Sequence, residues 1–264
     1  MTRGFVILAV DADGTDYMKC ARTLAKSIRT CMPKESITLI SDHAESDEMF
    51  DNVVPLPYGD LAPKSTWKLI NDWQVYEASP YDHTIKLEAD MIIPQSIEYW
   101  WDVLCARDLV VSSVIRNFKG EISDCRVYRR FIYDNKLPDA YNSITYFKKS
   151  DVAKQFFEIV RDIFENWADY RALMKCSSQE EATTDWVYAI ACHIMGMEKT
   201  MLPTFTEMSM VHMKQYVNGL PHEDWTKVLV TEFRPMRVNS YVQSYPFHYH
   251  LKSFSDTISD AYGR

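Results

Sequence analysis

Thr84-Ile85-Lys86-Leu87-Glu88-Ala89-Asp90-Met91-Ile92-Ile93-Pro94 is a short apolar run that carries two carboxylates, one residue apart, where a buried strand would end. Ile85 and Leu87 lead in, Met91 to Ile93 follow, and Pro94 stops the run. Strands of a parallel sheet often deliver acidic side chains at their C-terminal ends, where oxygen donors hold a divalent cation. A strand end with two solvated carboxylates would read the same way, so the flanking chain has to decide.

Upstream, Phe5–Val10 is a continuous apolar run, the pattern of a strand buried on both faces. It empties into Asp11-Ala12-Asp13-Gly14-Thr15-Asp16, a turn-rich acidic loop. Met18, Ala21, Leu24, Ala25 and Ile28 then recur at helical spacing over Tyr17–Arg29, with Asp16 as the N-cap. Ser36–Ser41 and Asn52–Leu56 read as strands, which makes a βαβ unit with a right-handed crossover. Lys64–Tyr76 reads as a helix turning Trp67, Ile70, Trp73 and Val75 or Tyr76 inward.

Downstream, a short helix over Ser96–Leu104 and a strand over Leu109–Ile115 are expected. Arg116–Pro138 is polar and aperiodic, a long excursion of the kind that forms binding loops. Asn142–Phe147 is a strand, Val152–Trp167 a helix capped from Ser150-Asp151, and Asp185–Met195 a helix opened by Thr184. Short strands are expected at Met208–Met213, Val228–Thr231 and Val238–Val242, and the chain closes on Tyr245–Phe254. The class is α/β: a mostly parallel central sheet flanked by helices, followed by a mixed C-terminal half. No linker divides the 264 residues, so they read as one domain.

Composition narrows the function. A net charge of −8 argues against a broad nucleic-acid or anionic-membrane footprint. The basic clusters Arg126–Arg130 and Lys148-Lys149 read as solvated faces. Six scattered cysteines form no C-x-x-C pair and read as reduced thiols, which points to the cytoplasm. The N-terminal apolar run is too short for a signal sequence, and no stretch is long enough to span a membrane.

Two families share pieces of this pattern. Asp11-Ala12-Asp13-Gly14-Thr15 after an apolar strand resembles the D-x-D-G-T loop of haloacid dehalogenase-like phosphatases, which would make Asp11 the nucleophile and Asp13 the acid/base. Its companions would be Ser41 and Lys64 or Lys68, but placing Glu88 and Asp90 as its last motif leaves the long remainder of the chain without a role. The second resemblance runs through nearly the whole chain. Tyr17, Ala21, Leu24 and Ser27 on the first helix, Lys68-Leu69 with Trp73, Glu88-Ala89-Asp90, Tyr141-Asn142-Ser143, Thr184-Asp185 and late histidines followed by lysine stand in the order of a GT-A glycosyltransferase. They most resemble the glycogenin-like family 8 group.

That resemblance implies a sugar transferase, hexosyl or pentosyl, with a nucleotide-sugar donor, a UDP-sugar favoured. It implies Mn²⁺ or Mg²⁺ as metal and a retaining outcome. Residues 1–95 would be the donor-binding half and 96–264 the acceptor-side half. Glu88-Ala89-Asp90 stands where the family has D-x-D, so Asp90 is the main metal ligand implied, with Glu88 as ligand or ribose contact. The closing ligand is His248 or His250, with His212 as the other choice, and Lys252, Lys214 or Lys68 faces the diphosphate. Asp11, Asp13 and Tyr17 fall on the nucleotide side, and Asn142 and Asp185 on the sugar and acceptor side, in catalytic positions. The chain departs from the family at Glu88 for Asp, Ile144 for Gly and Trp186 for Gln. The acceptor is left open among glycan, protein, small molecule and modified DNA. A non-catalytic nucleotide- or sugar-binding protein of the same fold is the third reading.

Overall fold

The structure, a computed structural model, describes residues 1–12, 14–42, 46–65, 68–123, 129–175, 180–196 and 208–262. In chain order it runs β1 (Arg3–Ala9), α1 (Tyr17–Cys31), β2 (Ile37–Ser41), β3 (Asn52–Pro55), a 3-10 helix (Leu69–Gln74) entering α2 (Val75–Ala78), β4 (His83–Glu88) and β5 (Met91–Ile92). Then come α3 (Trp100–Leu104), β6 (Leu109–Ser112), β7 (Ile115–Arg116), α4 (Arg130–Asp134), β8 (Tyr141–Lys148), α5 (Asp151–Glu165), α6 (Trp167–Leu173) and α7 (Thr184–Met195). The last part holds β9 (Met210–His212), α8 (Gln215–Asn218), β10 (Thr231–Glu232), β11 (Arg237–Val238), β12 (Tyr241–Val242), β13 (Phe247–His248) and α9 (Phe254–Tyr262).

The central sheet has the order β3-β2-β1-β4-β8-β6. β3, β2, β1 and β4 pair in parallel, and β8 runs antiparallel between β4 and β6. Helices cover both faces, so β1 is apolar on both: Phe5, Ile7 and Ala9 enter one core and Val6 the other. A second sheet, β5-β13-β9-β7, stands where β4 ends. A third, β10-β11-β12, is a small antiparallel meander. No helix among the described residues is long and apolar enough to cross a membrane.

The first βαβ unit folds as its pattern predicts, with Asp16 accepting from the Lys19 N–H at the start of α1. Gly4 lets β1 approach the Tyr81 ring, whose hydroxyl accepts from Thr38 at 2.8 Å. A Cβ there would lie 2.4 Å from Tyr81 Cζ. Gly4→Ala is therefore expected to cost about 1–3 kcal/mol in urea unfolding, the usual range for overpacking a core; an unchanged midpoint would mean that the ring yields freely.

Several expected elements fold differently. Lys64–Tyr76 is not one α-helix, and Thr66 and Trp67 lie outside the described residues. From Leu69 the chain winds as a 3-10 helix, because Asn71 and Gln74 turn their side chains to the backbone N–H groups of Leu61 and Tyr58, at 2.9 Å each. Leu109–Ile115 is two strands in two sheets, broken at Ser113-Val114. The Arg116–Pro138 excursion contributes β7 and α4, and residues 124–128 of it are outside the described set. Val228–Thr231 holds only the start of β10, after a 3-10 turn at Trp225–Lys227. Val238–Val242 is the β11–β12 hairpin, with Asn239 in the left-handed region at φ 51°. Past Phe254 the chain continues as α9, which packs on α1.

Candidate active site

The acidic stretch divides in two. β4 ends at Glu88, Ala89-Asp90 turns, and Met91-Ile92 joins the second sheet antiparallel to β13, with His248 opposite Met91. The Asp90 carbonyl accepts from the Tyr249 N–H at 3.2 Å. This turn sets Asp90 against a segment 158 residues later in the chain: Asp90 Oδ2 lies 3.0 Å from His248 Nε2 and accepts from Lys252 Nζ at 2.5 Å. Burial opposes the Asp90 charge, but His248 and Lys252 outweigh it and hold the carboxyl well below the usual carboxylate range. In return Asp90 overcomes burial at Lys252 and raises its pKa.

Asp90, His248 and His250 each offer one donor atom, all within 4.8 Å of one another. One carboxylate and two imidazoles suit Mn²⁺ and related divalent ions. The Lys252 ammonium on Asp90 already occupies the place of a cation. The donor set therefore fits a divalent metal. His250 is not on the same strand as His248. It lies beyond β13 in the left-handed region, at φ 58°, and that turn brings its ring toward the cluster.

His212 stands behind the cluster on β9, the parallel neighbour of β13, with its Nδ1 3.0 Å from His248 Nδ1. Burial first, then the neighbouring His248 and His250, push its pKa well below the usual histidine range, so it is neutral at pH 7. The contact fixes the His248 ring with Nε2 facing Asp90, as the partner of a metal-facing imidazole commonly does. Glu88 is drawn aside: it accepts from Ser143 Oγ at 2.6 Å and lies 3.5 Å from His248 Nε2.

From this cluster a cleft of about 600 Å³ runs between the sheets, within the usual range for a small-molecule site. Tyr17, Lys68, Lys214 and Trp186 line it together with Glu88, Asn142 and Asp185. Asp11 sits behind Tyr17, its Oδ1 accepting from the backbone N–H groups of Tyr17 and Met18 at 2.8 and 3.3 Å. Asp13 is outside the described residues. Lys68 donates to Asp60 and to the Ala62 carbonyl, at 2.8 and 2.7 Å. Burial lowers the Lys214 pKa.

The far end holds residues that the sequence pattern did not single out. Lys86, in the middle of β4 and 1% exposed, pairs with Asp72 at 2.5 Å, and Tyr188 donates to the other Asp72 oxygen. Arg129 is not on a solvated face: it is 2% exposed and donates to Asp185 at 2.7 Å, to Asp139 at 2.9 Å and to the Ala140 carbonyl. Its guanidinium lies 3.8 Å from the Tyr141 ring centroid. Burial raises the Asp185 pKa, and Arg129 and the Asn142 N–H offset that only in part. The signal available in the sequence was a lone lysine inside an apolar strand, a pattern that needs a buried carboxylate partner.

No family model matches the sequence, and no curated protein matches it either. Solved structures do match. Mouse xyloside xylosyltransferase 1 aligns over 94% of this chain and 97% of its own, at 11% identity and a TM-score of 0.52. An active-site mutant of LgtC aligns over 98% of this chain and 95% of its own, at 13% identity and a TM-score of 0.50. GlyE of Streptococcus pneumoniae aligns over 98% of this chain but only 60% of its own, at 11% identity and a TM-score of 0.51. LgtC in complex with donor and acceptor sugar analogues is spanned over 66% of its length. The chain thus has the GT-A fold of these glycosyltransferases.

Proposed function

We propose that the chain is a metal-dependent glycosyltransferase that takes a sugar from a nucleoside diphosphate donor, a UDP-sugar by preference, and passes it to an acceptor with retention. The observation behind this reading is the meeting of Asp90, at the end of the first parallel unit, with His248, His250 and Lys252 from the chain's end. Such a pairing of oxygen and nitrogen donors with a lysine serves a diphosphate poorly without a metal and well with one.

Asp90, His248 and His250 would hold Mn²⁺ or Mg²⁺, which supplies Lewis-acid neutralisation of the departing diphosphate when bound. Lys252 exchanges its Asp90 partner for a diphosphate oxygen, and Lys214 adds a second cation on the same side of the cleft. Tyr17, with the Lys252 ammonium 5.7 Å from its ring, borders the nucleotide end. Asn142 and Asp185 hold the sugar. The phosphatase reading has less support, because one oxygen of Asp11 is committed to the start of α1 rather than presented to a phosphate.

The test is a panel of UDP- and GDP-sugars with Mn²⁺, read by thermal denaturation and donor hydrolysis. A true donor at a hundred times its Kd raises apparent stability by about 2.7 kcal/mol through mass action. No shift with any donor in the presence of Mn²⁺ would defeat the proposal. A shift without hydrolysis or transfer would favour the non-catalytic reading.

A further inference from the structure

We propose that the inner end of the cleft takes an uncharged, hydroxyl-rich sugar ring, and that Lys86 is the positioning residue that sets Asn142 to read it. The inference deepens the donor-sugar reading above and rests on it. Asn142 is held by its backbone from two sides. Its N–H donates to Asp185 Oδ1 at 3.0 Å, and its carbonyl accepts from Lys86 Nζ at 3.2 Å. Its side-chain amide is treated differently. Asn142 is 2% exposed and lines the cleft, and its Nδ2 is a buried donor with no partner among the described residues. A buried amide N–H is almost always bonded, so an unpaired one facing a cleft marks the place of a ligand acceptor atom.

The charges around that amide define the ligand. Lys86 is matched by Asp72, and Arg129 by Asp185 and Asp139. Glu88 lies next along the wall, bonded to Ser143, the residue after Asn142. Both cations at this end are therefore already balanced by carboxylates. A ring bearing its own carboxylate would bring an unneutralised charge into a buried end of the cleft whose cations are already paired. A hydroxyl-bearing ring instead accepts from Asn142 Nδ2 and donates to the surrounding carboxylate oxygens. A charged lysine at 1% exposure inside an apolar strand is costly on stability grounds alone. Here its reach to the Asn142 carbonyl gives it a second task, since a shift of about 1 Å in a reading group is enough to cost activity.

The experiment begins with the wild-type protein, Mn²⁺ and matched donors: UDP-glucose and UDP-galactose against UDP-glucuronate and UDP-galacturonate, with UDP alone as reference. A neutral-sugar donor is expected to bind at least about tenfold more tightly than its uronate counterpart. Equal or tighter binding of the uronates overturns the inference but leaves the transferase reading standing. Binding of none of these, UDP included, defeats both. The second arm is Lys86→Met/Asp72→Asn, which removes both charges and keeps a partner for Tyr188. It is expected to lower kcat by at least about tenfold while UDP affinity stays within about twofold. A parallel loss of UDP affinity and kcat, or no loss of kcat, removes the positioning role. If the double variant does not fold, Lys86→Arg, which keeps the charge opposite Asp72 but moves the donor on the Asn142 carbonyl, carries the same kcat-against-UDP-affinity test, with unchanged kcat removing the positioning role.

Discussion

Asp90→Asn is expected to lose the proposed Mn²⁺ binding and sugar transfer while remaining folded. The carboxyl sits at 4% exposure in a turn pinned by its own carbonyl, so the isosteric amide keeps the backbone bond from Tyr249. What goes is the charge that gathers His248 and Lys252 on one oxygen. Loss of a residue that merely supports a metal ligand commonly costs 10–100-fold in affinity, so loss of the carboxylate in the cluster itself should cost at least about a hundredfold. Glu88→Gln is the informative comparison. Its oxygen is bonded to Ser143 and stands outside the Asp90–His248–His250 group, so a far smaller change in Mn²⁺ affinity is expected. Isothermal titration of the metal alone, without donor, separates the two. Equal losses in both variants would return the metal to a Glu88–Asp90 pair.

The asymmetry of that pair was legible in the sequence only as a departure from the family pattern. The fold gives it a physical cause: the strand ends between the two acids, so Glu88 faces the central sheet's neighbour β8 while Asp90 turns to the second sheet. The first βαβ unit was legible because β1, buried on both faces, reads as an unbroken apolar run and α1 meets its core with the helical repeat. Periodicity failed where side chains compete with backbone for hydrogen bonds. Asn71 and Gln74 tighten a helix into 3-10 winding for the sake of the loop before it. It also failed where one apolar run serves two sheets, as at Ser113-Val114. His250 was named from the family resemblance, and in the structure it follows β13 with a left-handed backbone at φ 58° that no sequence pattern announces. Lys86 and Arg129 were hidden because a single sequence shows a cation without showing its counter-ion. Asp72 lies 14 residues before Lys86, and Asp185 lies 56 after Arg129, both distances closed only by folding.

Arg129→Met will destabilise the chain by about 1–3 kcal/mol, because it removes the charged hydrogen bonds from a buried guanidinium to the half-buried Asp185 and Asp139 and to the Ala140 carbonyl. Arg130→Met supplies the control one residue away. Its side chain is 75% exposed and pairs within a helical turn with Asp134, so its loss should cost no more than about 0.5 kcal/mol. The pH dependence then separates lost charge compensation from lost packing. In the wild type, burial raises the Asp185 pKa while Arg129 lowers it in part. Removing Arg129 raises it further, so the folded variant binds a proton that the unfolded chain, with an ordinary carboxyl, has already released. The unfolded state then holds fewer protons, and stability falls as pH rises through that window. Arg129→Met should therefore be weakest near neutrality and regain part of the loss as pH drops toward the ordinary carboxylate range. A packing defect would give the same deficit at every pH. Asp185 bonds the Asn142 N–H, so the acid that becomes protonated is also one side of the clasp on the cleft's reading amide. Protonation weakens the Asp185 carboxyl as an acceptor, so donor affinity in Arg129→Met should fall as stability recovers at lower pH, an opposition that urea unfolding and donor titration can follow on the same protein.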